Sequence, residues 1–485
     1  MSLMKPFVTI KKIKQGLEKK EFSVQEVVDF YRLRIEKYNP QLNCIIELFE
    51  NNIPYSKEFD SKKLLSGIPC ILKDNIAQKN RKLSAGSNIL KNYLAPYDAT
   101  VTARLKKAGS ISIGRTNMDE FAMGASGEYS AYGITRNPWD LSRSPGGSSS
   151  GAAAAVSAGL IPFAIGTETG GSVRQPAAFC NLVGMYPTYG LHSRYGIIAF
   201  ASSTDQAGIL TRTVYDNALV ATALSGHCKK DSTSVNIVPK NYTKNLNGKF
   251  PSNLTIGVIE DCINNTESMH PDIIHAFKDS IQHLEAQNIS IKTIKLPHLK
   301  NAIAVYFILS RAEAASNLAR FDGSLFGNRV KHADELRKMY LETRHDGFGI
   351  EVQRRLLTGN YVLSSAHKGE YYEQANHVRA MIRAEFLKAF HDVDLLISPT
   401  TPTIPFKLGG VTDDPFTLYL GDYFNVPNCI IGTPALSVPA GLSREKLPIG
   451  IQFMGPRLSE ELLYKVADAF EQSTDHHLKT PSGYE

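Results

Sequence analysis

The chain of 485 residues is long enough for a large core and for more than one domain, and its 42% hydrophobic and 21% charged residues are an ordinary globular composition. No run of eighteen apolar residues occurs, so no membrane helix is expected, and the formal net charge of +7 is a mild bias, compatible with an RNA-bearing partner but too weak to mark a nucleic-acid-binding chain. Six scattered cysteines with no CxxC pair read as reduced, buried thiols of a cytoplasmic protein, and the lysine-rich start lacks a signal-peptide core.

Ser23-Val24-Gln25-Glu26 is a capping box, with Phe22 and Val27 placed as a hydrophobic staple. It predicts a helix to about Tyr38 that stops at Asn39-Pro40. Ile68 to Leu72 predicts a buried strand ending at Lys73, and Asp98 predicts a cap for a helix to Ala108, ended by Gly109. Strand and helix signals keep alternating, through Ser110 to Ile113, Pro162 to Gly166, Val214 to Leu224, Leu254 to Ile259, Pro271 to Ala286 and Ile289 to Leu296. A long helix is expected over Gln374 to Phe390, strands over Leu395 to Ser398 and Ala435 to Val438, and a last helix from Ser459. This alternation is an α/β signature, read as one domain over 1–485 with an N-terminal helical section over about 1–60.

Chemistry concentrates between residues 144 and 180. Phe163 to Gly166 reads as a strand, Thr169-Gly170-Gly171-Ser172 as the turn after it, and Pro176 suits the first turn of a short helix. Such a turn can aim several backbone N–H groups at one point, which suits a nucleophilic Ser172 beside its own oxyanion hole. It equally suits a tight strand-to-helix turn or a phosphate cradle, although no GK[ST] ends either glycine loop. Gly147-Ser148-Ser149-Ser150-Gly151 matches the GxSxG elbow, but it follows loop rather than strand, and no histidine with a recognisable motif stands downstream. No HExxH or other metal-ligand spacing appears. A serine hydrolase without histidine needs another base, and a lysine serves if burial lowers its pKa from about 10.4 toward roughly 7 to 8. Lys73, at the end of an apolar strand, is the best candidate; strand alternation turns Asp74 to the opposite face.

Together, Gly67-Ile68-Pro69, Lys73-Asp74-Asn75, Pro145-Gly146-Gly147-Ser148-Ser149 and Gly170-Gly171-Ser172-Val173-Arg174-Gln175-Pro176 resemble the amidase signature family, with Ser148 lying 75 residues beyond Lys73. The resemblance implies a large mixed central β-sheet covered by helices on both faces. It also implies a Ser-cisSer-Lys triad: Ser172 as nucleophile, Ser148 with a cis bond before it as proton relay, Lys73 as base, and Thr169, Gly170, Gly171 and Ser172 as oxyanion hole. Further segments, Gly114 to Gly124, Pro187 to Gly190, Ser193 to Gly196, Ala199 to Ser203, Ser316 to Gly323 and Gly347 to Gly349, are similar to the glutaminase subunits of tRNA-dependent amidotransferases. That similarity implies glutamine as substrate, bound by Tyr306, Arg355 and Asp422. It implies no cofactor in this chain, with ATP and Mg used by a partner. The implied partners are the B- and C-type subunits of an amidotransferase heterotrimer, with misacylated tRNA met mainly through the B-type partner. An amidase of small or aryl amides, acting alone, remains the alternative reading of the triad. The chain departs from the family pattern at Glu168, Ser150, Ala152, Tyr186 and Leu191-His192.

Overall fold

The computed structural model describes residues 4–50, 58–264, 267–331, 333–367, 369–410 and 420–485. Its centre is a mixed sheet of eleven strands in the order β1-β3-β2-β4-β6-β5-β10-β11-β9-β7-β8. In chain order these are β1 Ile45–Leu48, β2 Pro69–Lys73, β3 Ile111–Thr116, β4 Phe163–Glu168, β5 Val183–Tyr186, β6 Gln206–Thr211, β7 Thr255–Ile259, β8 Ser290–Ile294, β9 Leu395–Pro399, β10 Ala435–Leu442 and β11 Pro448–Met454. Every residue of β2, β4, β5, β6, β9 and β11 is buried. Successive side chains of a strand point to opposite faces, so the sheet is covered on both sides, and these strands read as apolar runs rather than alternations. The outermost strands, β1 and β8, are the most exposed.

The capping box at Ser23 and Glu26 forms in full. Its helix, however, runs over Val24–Leu42 with Pro40 inside it, past the expected stop at Tyr38. Pro40 stands in the last turn, where the Asn39 side chain ties the exit by accepting from Cys44 and Ile45 N–H. Asp98 is not the cap expected of it. The helix there starts at Thr100 after an uncapped Ala99, while Asp98 accepts from Lys79 N–H and Lys106 Nζ. The helix over Pro271–Ala286 matches its expected bounds. Among the N-terminal helices, Ile10–Glu18 and Val24–Leu42, the second leads into β1, so the chain has joined the sheet by Ile45; residues 1–3 and 51–57 of the expected helical section lie outside the described residues. The polar stretch 321–347 contains a helix, Leu336–Gly347.

The strand order positions the site. Strands β2 and β4 are parallel neighbours, with Ile71 opposite Ala164, so both finish at the same edge of the sheet. Lys73 closes the first, and the Thr169–Ser172 turn follows the second. The helix Ser150–Ser157, which leads into β4, begins with Ser148 and Ser149 at that same edge.

Candidate active site

Lys73 is fully buried, and its Nζ lies 2.7 Å from Ser148 Oγ, 2.9 Å from Ser149 Oγ and 3.1 Å from the Thr167 carbonyl. The Gly147–Ser148 peptide bond is cis. Ser149 is itself held by β4, donating to the Thr167 carbonyl and accepting from the Thr167 N–H. Burial lowers the Lys73 pKa to about 7, against the opposing charges of Asp119, Asp205 and Glu168, in that order. Asp74 takes no part in this balance: it faces away, paired with Arg115 and Ser84, as strand alternation requires.

Ser172 is 6% exposed, and its carbonyl accepts from the Ser149 N–H at 3.2 Å, which fixes its turn against the Ser148–Ser149 turn. The turn from Thr169 to Ser172 is anchored on both flanks. Thr169 Oγ1 donates to Asp205 at 2.7 Å, and Glu168 accepts from the Val173 and Arg174 N–H groups at 3.0 Å each. Glu168 also pairs with the fully buried Arg174 guanidinium, whose other arms reach Gln452 and the Asn425 carbonyl. The longer side chain at 168 therefore spans from β4 to the start of the next helix and satisfies two backbone donors there. Tyr186 lies beneath Arg174, its ring centroid 5.4 Å from the guanidinium carbon, and donates to the Thr204 carbonyl. His192 is buried and held neutral, its pKa pushed to about 4 by desolvation.

The remaining sequence-identified residues come from helices and a late loop. Tyr306 sits on the helix Ala302–Asn317, Arg355 on Ile350–Leu363, and Asp422 ahead of Val426–Ile431. The glycines of the turn let two of them approach it. A Cβ on Gly170 would lie 2.6 Å from the Tyr306 ring, and one on Gly171 would lie 2.2 Å from Asp422 Oδ1, so no side chain larger than hydrogen fits at either position. Asp422 Oδ1 is buried, and desolvation followed by the charge of Glu168 pushes its carboxyl up to about 8. Arg355 engages Glu351 one turn back through Nε at 2.7 Å and stacks over Phe200. The structure thus joins Lys73 to Ser148 directly, sets Ser172 beside them through the backbone, and brings Tyr306 and Asp422 against the glycine turn.

Three contributors escape a reading of the sequence. Ser149 lies within a recognised motif yet reads there only as a rival nucleophile. Asp119 and Asp205 stand in segments with no local signal that they become buried carboxylates around a lysine. Among the described residues no group of three or more His, Cys, Asp or Glu side chains could hold a metal ion, and no helix is long and apolar enough to cross a membrane. All six cysteines are free and buried.

Known proteins share this chain's sequence and its fold. It is 45% identical over 481 residues to the A-type subunit of glutamyl-tRNA(Gln) amidotransferase from Halalkalibacterium halodurans, covering 98% of each chain. A protein of the same name from Geobacillus sp. is 45% identical over 475 residues, 96% of this chain and 97% of that one. The solved A-type subunit of the same amidotransferase from Thermotoga maritima superposes with a TM-score of 0.82 at 36% identity, over 96% of this chain and 94% of that one. The peptide amidase of Stenotrophomonas maltophilia superposes with a TM-score of 0.80 at 27% identity, over 99% of each. A family model described as Amidase matches residues 26–464, a span that holds Lys73, Ser148, Ser172, Tyr306, Arg355 and Asp422, and the chain belongs to that family.

Proposed function

We propose that this chain is the glutamine-hydrolysing subunit of a tRNA-dependent amidotransferase. The observation that carries the reading is the buried Lys73 amine, with its pKa near 7, in hydrogen bond with Ser148, whose neighbour Ser149 donates its N–H to the Ser172 carbonyl. A neutral amine accepts a proton, and burial supplies that state at physiological pH without histidine.

In this reading Ser172 Oγ attacks the side-chain carboxamide carbon of glutamine. Its proton passes to Ser148, whose own proton goes to Lys73 Nζ. The carbonyl oxygen becomes an oxyanion facing the backbone N–H groups of the Thr169–Ser172 turn, where fixed dipoles stabilise it without reorganisation. Collapse expels ammonia, protonated from Lys73 through Ser148, and leaves an acyl ester on Ser172. Water, deprotonated by the same relay, attacks the ester and releases glutamate. Arg355 is assigned to the substrate α-carboxylate, Asp422 to its α-ammonium and Tyr306 to a supporting contact. The adjacency of Tyr306 and Asp422 to Gly170 and Gly171 supports this, since a pocket for the substrate's charged end has to lie within one glutamine side chain's length of the oxyanion turn.

The relatives' name, an amidotransferase of glutamyl-tRNA(Gln), supports a destination for the ammonia, and the family resemblance implies the partners and their chemistry. The ammonia would pass to B- and C-type partner subunits in the cytoplasm, where the partner uses ATP and Mg to amidate Glu-tRNA(Gln), Asp-tRNA(Asn) or both, meeting the tRNA mainly through the B-type partner. Ammonia release from glutamine, measured with and without co-purified partner subunits, tests the proposal. Hydrolysis of glutamine and tRNA-dependent amidation by the complex is the expected result. Cleavage of simple amides but not of glutamine would overturn it in favour of an amidase acting alone.

A further inference from the structure

Three buried carboxylates act on Lys73, and their own partners set them apart. Glu168 is neutralised by its ion pair with Arg174. Asp205 accepts from Thr169 Oγ1 and from the Phe200 and Ala201 N–H groups, and the charge of Arg194 acts on it. Asp119 is fully buried, and among the described residues its carboxylate accepts only backbone N–H groups, from Gly127 at 3.2 Å and Tyr129 at 3.1 Å. The cation acting on it is Lys73, and the further charge is the like-charged Glu128. Its field at Lys73 is therefore the least compensated of the three, and it heads the influences that oppose desolvation there.

Asp119 also touches the relay mechanically. Its N–H donates to the Ser148 carbonyl at 3.2 Å. A Cβ on Gly147 would lie 2.1 Å from Asp119 Oδ2, so the carboxylate packs directly on the residue before Ser148. The other side of that turn is held by Gln175, whose Oε1 accepts the Gly147 N–H at 2.9 Å. The turn that presents Ser148 is thus clamped between Gln175 and Asp119.

We propose that Asp119 is a positioning residue for the proton relay: its carboxylate clamps the Gly147–Ser148 turn, and its charge, with no cationic partner other than Lys73 among the described residues, favours the protonated Lys73 amine. The inference rests on Lys73 being the base, as proposed above. Its two parts make separable demands, because a clamp alone would alter rate without altering the pH at which Lys73 titrates. An asparagine at 119 keeps the size and loses the charge, at the cost of one of the two backbone N–H bonds because its amide nitrogen cannot accept, so Lys73 must become still harder to protonate.

The test is the pH profile of glutamine hydrolysis by the assembled enzyme, for wild type, Asp119→Asn and Glu128→Gln, with KM measured at each pH. The expected result for Asp119→Asn is an acid limb of kcat moved down by roughly one pH unit, the low end for removal of an opposite charge. Burial pushes the Asp119 carboxyl up to about 6, and the like charge of Glu128 adds to that rise, so Glu128→Gln should leave Asp119 more fully ionised. It should move the limb the other way, and it decides the matter should Asp119→Asn fail to fold. A limb left in place in a folded Asp119→Asn enzyme, or moved down in Glu128→Gln, would overturn the proposal. A wild type with no acid limb at all would instead overturn the assignment of Lys73 as base, which keeps the two failures distinct.

Discussion

The wall of the site that carries Lys73, Ser148 and Ser172 hangs from strand ends and tight turns, with the first two side chains fully buried. The facing wall carries Tyr306, Arg355 and Asp422 on two long helices and a late loop. The first is rigid because parallel strands β2 and β4 and the clamp residues leave its atoms nowhere to go. The second comes against the first where glycines at 170 and 171 admit it. In the mechanism proposed above, reaction chemistry sits on the scaffold, and the choice of substrate sits on elements laid over it.

Substitutions on the two walls should separate cleanly. Ser172→Ala is expected to lower amide hydrolysis on the order of 10⁴- to 10⁶-fold for every substrate, while the chain keeps its fold. Lys73→Arg should be nearly as damaging as Lys73→Ala, since arginine does not release its proton. Covalent labelling by a glutamine-like electrophile checks the same wall, and should land on Ser172; label on Ser149 would restore the GxSxG elbow as the nucleophile.

On the facing wall, loss of a charged hydrogen-bonding partner costs roughly 2–5 kcal/mol, or about 30- to 5,000-fold. Arg355→Ala and Asp422→Ala are expected to lower kcat/KM for glutamine by at least the low end of that range. Hydrolysis of a small neutral amide should change little. Equal damage to both substrates would erase the distinction between the walls and make these residues structural.

The walls should also differ in pH dependence. Lys73, near 7, must be neutral to act, so kcat falls as pH drops through about 7. Asp422, near 8 without substrate, is mostly protonated at neutral pH and must lose that proton to hold an ammonium. KM for glutamine should therefore rise as pH falls below about 8, and Asp422→Asn should flatten that rise while leaving the kcat limb. Stability carries a third signature. Between about 7 and 10.5 the unfolded chain keeps the Lys73 proton that the folded chain rejects, so this group makes stability rise with pH across that window.

The difference between the walls also explains what is legible in the sequence. Lys73 is readable because an apolar strand ends in a lysine, and the serines because glycine turns are punctuated in the sequence itself. Tyr306, Arg355 and Asp422 have no such marks; each is one polar residue on an ordinary helix or loop, and only the resemblance to a family singles them out. Asp119 and Asp205 are harder still, because a carboxylate's burial depends on contacts from distant segments. Strands β5 and β6, VGMY and QAGILT, are buried on both faces and broken by glycine, so they show neither alternation nor a continuous apolar run and become plain only as partners in the sheet. The misplaced cap at Asp98 has a similar cause: Lys106 and the Lys79 N–H compete for the same carboxylate.

The smallest expected effect lies away from both walls and marks where the site ends. Ser23 Oγ accepts from the Glu26 N–H at 3.2 Å, and Glu26 Oε2 accepts from the Ser23 N–H at 2.7 Å. Both residues are solvent-facing, so Ser23→Ala removes a cap without opening a cavity and should cost about 1 kcal/mol. In a chain this long that is a fall in Tm of roughly one to two degrees. The helix it starts packs beneath the sheet through Val27, Tyr31 and Ile35, remote from the turn at 169–172, so kcat/KM for glutamine should stay unchanged. A Ser23→Ala enzyme with altered kcat/KM at unchanged Tm would mean that the N-terminal helices do influence the site. The division between a rigid reacting wall and a fitted substrate wall would then have to extend to them.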